Sequence, residues 1–153
     1  MLNQLVAFIL GDQQYALPLA TVQRVVRMVE VTPLPKAPEI VLGVIDFQGN
    51  IIPVMSMRKR FGLPEPETSL SDQLIVADTA TRRVALVVNS VTGVLERTAE
   101  AVTEAEKIVP GAQYVEGITR LDGILFIHNL EHFLSKKEEK QLDELRAQAA
   151  GRE

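Results

Sequence analysis

Short apolar runs separated by polar turns fill most of the chain. Leu5 to Leu10 and Tyr15 to Leu19 flank Gly11-Asp12-Gln13-Gln14, which predicts a β-hairpin. Val41 to Phe47 and Ile51 to Val54 flank Gln48-Gly49-Asn50 and predict a second, with Gly49 where the turn needs positive φ. Pro53 has no N–H to donate, so its position should lie at a strand edge or a bulge. From Met55 the period changes through Met57, Arg58, Arg60 and Phe61, and Gly62 with Pro64 closes what reads as one helical turn. Between the hairpins, Val22, Val25, Val26 and Val29 fall at helical spacing, predicting a short helix with Thr21 as N-cap that passes into a strand. Pro33, Pro35 and Pro38 then impose an extended loop.

After Leu63 to Asp72, a Pro-, Glu- and Ser-rich connection, the first half recurs. Leu74 to Ala77 and Val84 to Val88 repeat the opening hairpin, with Ala16-Leu17 against Ala85-Leu86, Thr21-Val22 against Ser90-Val91 and Val25 against Val94. Gly117 and Gly123 repeat the six-residue spacing of Gly43 and Gly49, and Ile124-Leu125 matches Ile51-Ile52 if one residue is skipped. The pattern is that of an internal duplication into two small β lobes, approximately 1–66 and 72–134, within one domain spanning 1–153. Arg97 to Gly111, rich in Glu and Ala, interrupts the second copy as loop with some helix. A C-terminal helix over 135–150 opens on a capping box, Ser135 with Glu138, and carries a narrow stripe of Leu142, Leu145 and Ala149.

Composition narrows the class. Of 153 residues, 46% are hydrophobic but only 5% aromatic, so the core must be aliphatic, which favours strands. A net charge of −4 and a pI near 5.3 argue against nucleic acid as partner. The absence of cysteine excludes disulfides and fits a reducing compartment. The opening apolar patch lacks a positive flank and reads as a first strand, and no apolar run reaches the length of a membrane span. A cytoplasmic protein without membrane insertion is expected.

Candidate chemistry is sparse. His128-Asn129-Leu130-Glu131-His132 matches H-x-x-E-H, a zinc-hydrolase pattern that needs both histidines one helical turn apart. Here His128 ends an apparent strand and no third ligand follows, so structural or exposed histidines are the better reading. The glycines open no long helix and precede no Lys-Ser/Thr pair, which removes a phosphate loop. With both histidines close together, no Ser/His/Asp set can be drawn. No catalytic residue, cofactor site or metal site is expected. Exposed hairpin edges and apolar positions such as Val22, Val26, Val44 and Ile45 suit a protein-binding role. A metal hydrolase using His128, Glu131 and His132 and a general small-barrel binding module are the alternatives.

The run Gly43-Val44-Ile45-Asp46-Phe47-Gln48-Gly49-Asn50-Ile51-Ile52-Pro53-Val54, followed by the Arg-rich turn and Phe61-Gly62-Leu63, resembles the central signature of the CheW chemotaxis coupling-protein family. The resemblance extends from about Leu5 to Leu134. It implies two intertwined, five-stranded SH3-like β-barrels sharing a core, with short helices and the C-terminal α-helix. It further implies a non-catalytic adaptor recruited to receptor arrays. One face would bind the regulatory domain of the histidine kinase CheA, and another the cytoplasmic tip of methyl-accepting chemoreceptors. By position, the segment containing Val22, Arg24 and Val25 and the turn containing Asp46, Gln48 and Gly49 look receptor-facing, with Gly43, Val44 and Arg58 near the same surface. The family turn commonly reads N-L-R-G where this chain has Asp46-Phe47-Gln48-Gly49, and an acid is common where it has Arg24. V-D-L-R is likewise replaced by the segment Val54 to Arg58. These departures imply a divergent adaptor for a non-standard receptor or kinase set.

Overall fold

The computed structural model describes residues 2–64, 69–108, 110 and 114–150; positions 65–68 of the expected connection and 109 and 111–113 of the Glu-rich stretch lie outside them. The described residues form eleven strands: β1 (Leu2–Leu10), β2 (Gln13–Pro18), β3 (Val22–Arg27), β4 (Val41–Phe47), β5 (Asn50–Met55), β6 (Gln73–Asp78), β7 (Arg83–Val88), β8 (Ser90–Thr98), β9 (Thr103–Glu104), β10 (Val115–Arg120) and β11 (Ile124–His128). Helices are α1 (Met57–Arg60), α2 (Ala105–Ile108) and α3 (Lys136–Ala150), with single 3-10 turns at Leu19–Thr21, Ala99–Ala101 and Leu130–His132.

The strands assemble into a six-stranded sheet, β8-β1-β2-β11-β10-β9, and a five-stranded sheet, β3-β6-β7-β5-β4. Each sheet holds the opening hairpin of one half flanked by the remaining strands of the other. β3 pairs with β6 as β8 pairs with β1, and β5 runs parallel to β7 as β11 runs parallel to β2. The irregularities repeat as well. Gln23 and Thr92 are the extra residues of equivalent bulges, as are Leu42 and Glu116. Even the isolated bridge Thr32–Val44 has its counterpart in Thr103–Ile118.

Three apolar clusters follow from this arrangement. Leu74, Val76, Ala85, Ile52 and Val54 fill the inside of the five-stranded barrel. Leu5, Ala7, Ala16, Leu125 and Ile127 fill the other in corresponding places. Between the sheets lies the largest cluster, built on Phe8, Leu17, Met55, Ile75, Leu86 and Phe133. Each of these six is fully buried or nearly so and contributes about 1.5–3 kcal/mol of transfer free energy.

Two local expectations are corrected. The segment Val22 to Val26 is strand, not helix, and the Thr21 hydroxyl bonds back to Pro18 O instead of capping a helix. The bulge at Gln23 produces the misleading spacing. By adding one residue it lets Val22 and Val25 face the shared core while Val26 faces the barrel interior. Pro53 lies on a strand flanked on both sides, not on a sheet edge. The β5–β7 ladder registers only Val54 and Met55, so Pro53 falls just short of the pairing that its missing N–H would interrupt. Other signals hold: Gly62 follows α1 at positive φ, and Ser135 and Glu138 exchange both bonds of the capping box. The structure adds that Ser56 caps α1 by accepting the Lys59 N–H.

His128 takes the place at the end of β11 that Met55 holds at the end of β5, and both are fully buried. Its ring meets Phe61 and Phe133 edge-on at 5.3 and 5.4 Å, and neither nitrogen finds a hydrogen-bond partner among the described residues. Burial pushes its pKa down to about 3. The folded pKa thus lies below the unfolded value of about 6.5, so the unfolded chain takes up a proton that the native ring refuses. The stabilising difference is full above about pH 6.5 and is lost as pH falls toward 3, amounting to about 2–3 kcal/mol at pH 4.5. His128→Met should raise the melting temperature at pH 7 by removing an unpaired polar group worth about 1–3 kcal/mol, and should flatten the acid limb of stability. Thermal melts of both proteins from pH 7.5 to 4 test this; parallel curves for the two would refute it.

Candidate partner-binding site

The β4–β5 hairpin is the best-defined exposed feature. Phe47 pairs with Asn50 across a two-residue loop in which Gln48 and Gly49 both have positive φ, 51° and 85°, the signature of a type I′ turn. Asp46 fixes the loop by accepting the Gly49 N–H at 2.9 Å. Ile51, immediately past the turn, is 67% exposed. At the base of the hairpin, Gly43 is buried where Thr32 crosses β4. A Cβ at residue 43 would stand 2.2 Å from Thr32 O, so only glycine permits the paired bonds Thr32 N to Val44 O and Val44 N to Thr32 O.

The residues expected to form the site fall into three groups. Gly43, Val44, Asp46, Gln48 and Gly49 share the hairpin. Val22, Arg24 and Val25 lie on β3 at the opposite edge of the same sheet, Arg24 exposed and the two valines half-buried against the shared core. The two edges are joined through the barrel interior, where Val26 and Met28 meet the cluster of Ile45 and Phe47. Arg58 stands apart, beyond the far end of β5 and so about 17 Å along that strand from the turn. Its guanidinium donates to Asn89 Oδ1 at 2.8 Å, and that same oxygen accepts the Gly11 N–H. Burial raises the pKa of nearby Tyr15, and the charge of Arg58 partly offsets this.

The sequence did not reveal what stands beside the hairpin. A groove of about 550 Å³ runs between Val44, Ile51 and Pro53 on one side and Leu142 and Leu145 of α3 on the other. The helix is held there by ion pairs. Arg82 in the β6–β7 turn bonds Glu139 and Asp143, both at 2.7 Å, and Arg60 bonds Glu138. The stripe of leucines on α3 was legible, but the surface receiving it depends on Arg82 and Arg60, distant in sequence and unremarkable in pattern.

The H-x-x-E-H residues diverge. His128 is sealed in the core, Glu131 accepts the Ala80 N–H with both carboxylate oxygens, and His132 faces solvent. They cannot converge on one ion, which overturns the hydrolase alternative. Among the described residues no cluster of three or more His, Asp or Glu side chains is placed to hold a metal.

The family model of the CheW-like domain matches residues 4–138. This chain belongs to the CheW-like family. A solved structure, the scaffolding protein TtCheW from Thermoanaerobacter tengcongensis, superposes with a TM-score of 0.80 at 27% identity, covering 90% of this chain and 96% of that one. The chain is 26% identical over 149 residues to the chemotaxis protein CheW of Treponema pallidum, covering 93% of this chain and 88% of the relative. It is 29% identical over 125 residues to that of Thermotoga maritima, covering 82% of each. This CheW-like chain is a non-catalytic adaptor of chemotaxis signalling that couples chemoreceptors to the kinase CheA. No helix among the described residues is long and apolar enough to cross a membrane.

Gly43→Ala should cost about 3 kcal/mol, combining overpacking against Thr32 O with loss of the bonds that pin Thr32 to β4. Denaturant melts would show the loss, and hydrogen exchange would show it concentrated at the Val44 amide. A variant as stable as the parent would refute the close approach.

Proposed function

We propose that the groove beside the β4–β5 hairpin receives the cytoplasmic tip of a methyl-accepting chemoreceptor, while a separate face binds the regulatory domain of the histidine kinase CheA. The observation that carries this reading is the juxtaposition of an apolar wall, exposed Ile51 with half-buried Val44, and a type I′ hairpin turn, with no constellation suited to chemistry among the described residues. Val22, Arg24 and Val25 on β3 extend the same working surface, and Arg58 acts by bracing α1. Halves 1–66 and 72–134 work as one unit, in the cytoplasm and recruited to receptor arrays. Coupling then arises from contacts that differ between receptor states and so bias the kinase equilibrium.

Arg24 and Gln48 are both exposed, and neither side chain has a partner among the described residues. Their departures from the family pattern therefore act on a partner and not on the fold. That favours a receptor or kinase set of altered charge complementarity over a standard one.

Calorimetric titration with the CheA regulatory domain and then with a receptor-tip fragment tests both parts. Saturable binding of each, with affinity on the order of micromolar, is expected for cognate partners. Restoring the family charges with Arg24→Glu and Gln48→Arg should strengthen binding to a standard receptor tip by about tenfold and leave kinase binding unchanged. Absence of binding to both cognate partners would sink the reading, and equal effects on the two would show that the faces are not separate.

A further inference from the structure

The duplication exposes a difference between the two barrels. In the five-stranded barrel, the chain continues from β3 to Met28, whose N–H donates to Asp72 O and whose side chain joins Leu74 and Val54 inside, only 8% exposed. Leu42, the bulged residue of β4, and Val87 of β7 pack beside it. These three close one end of that barrel. At the equivalent positions of the six-stranded barrel stand Arg97, Glu116 and Pro18. Arg97 does not fill the place of Met28, because its guanidinium donates to Glu96 O at 2.9 Å and Arg120 O at 3.1 Å. A cavity of about 380 Å³ remains at this end, walled by Leu5, Leu19, Val102 and Ile127 with Glu116 among its lining residues.

The charge of the opening is one-sided. Glu116 lies exposed at the mouth with no hydrogen bond or ion pair among the described residues, and partial desolvation pushes its carboxyl above the usual range. The segment carrying Val102 adds the exposed Glu96, Glu100, Glu104 and Glu106 against Arg97 and Lys107. Met28 shows which shape the equivalent opening accepts: a long unbranched chain. Glu116 adds that its end should be cationic. We propose that the open end of the six-stranded barrel is a docking pocket for a lysine side chain of a protein partner, the alkyl stem occupying the place of Met28 and the ammonium reaching Glu116. The proposal does not depend on which partner occupies the hairpin groove.

The test titrates the full chain with a capped pentapeptide, Ala-Ala-Lys-Ala-Ala, and its norleucine counterpart, following backbone amide shifts by NMR. Saturable shifts with the lysine peptide are expected at residues 3–5, 102, 116 and 127. Norleucine, equal in shape but uncharged, should bind at least about fivefold more weakly, and Glu116→Gln should erase the difference. Arg97→Met, which supplies the missing plug, should abolish the shifts and raise the melting temperature. Equal binding of norleucine would make the pocket purely apolar and overturn the proposal. So would shifts that survive Arg97→Met, or no localised shift in the parent chain.

Discussion

The halves of this molecule are held together by strand exchange: the short parallel ladders of β5 on β7 and β11 on β2, beside the antiparallel pairings of β3 with β6 and β8 with β1. Each parallel ladder joins the central hairpin of one half to the opening hairpin of the other, at Val54–Ala85 and Met55–Leu86 in one sheet and from Leu125–Gln14 to Ile127–Ala16 in the other. Neither half can complete a sheet alone, because its own hairpins lie in different sheets. The shared core depends on the same exchange: Met55 and Leu86, brought opposite by the ladder, lie together with Phe8 and Leu17 from the other sheet. The hairpin proposed to carry the partner surface is thus anchored by residues from the second half of the chain.

Much of the fold was legible because hairpin turns are local. Gly11-Asp12 and Gln48-Gly49 announce themselves by residues that tolerate positive φ, and the apolar runs beside them have the strand period. The capping box of Ser135 and Glu138 was readable for the same reason, whereas the Ser56 cap of α1 was not singled out. β3 was misread because a bulge imitates helical spacing, and a bulge is decided by the facing strand, here β6, some fifty residues away in sequence. The pairing of hairpins across halves left no mark that composition or period could show.

The site was legible in part. Asp46, Gly49 and Gly43 have local or near-local tasks, turn capping, positive φ and close approach, which leave residue-type signatures. The far wall of the groove comes from α3, whose position is set by Arg82 and Arg60 reaching Glu139, Asp143 and Glu138. Charged residues at ordinary spacing carry no such signature, because what an ion pair contributes is decided by the geometry and burial it meets in the fold. His128 shows the reverse: a conspicuous motif residue turns out to hold a core place filled by Met55 in the other half.

The exchange of hairpins also makes the peptide connection between the halves mechanically secondary. Cutting the backbone between the halves would leave every ladder described above intact, since each is formed by residues within Leu2–Met55 and Gln73–His128. The two fragments would stay clasped like interlocked hooks, and separating them would require opening both barrels at once. Continuity of the chain serves chiefly to keep the hooks at high effective concentration while they find each other, an entropic service that ends once the barrels close.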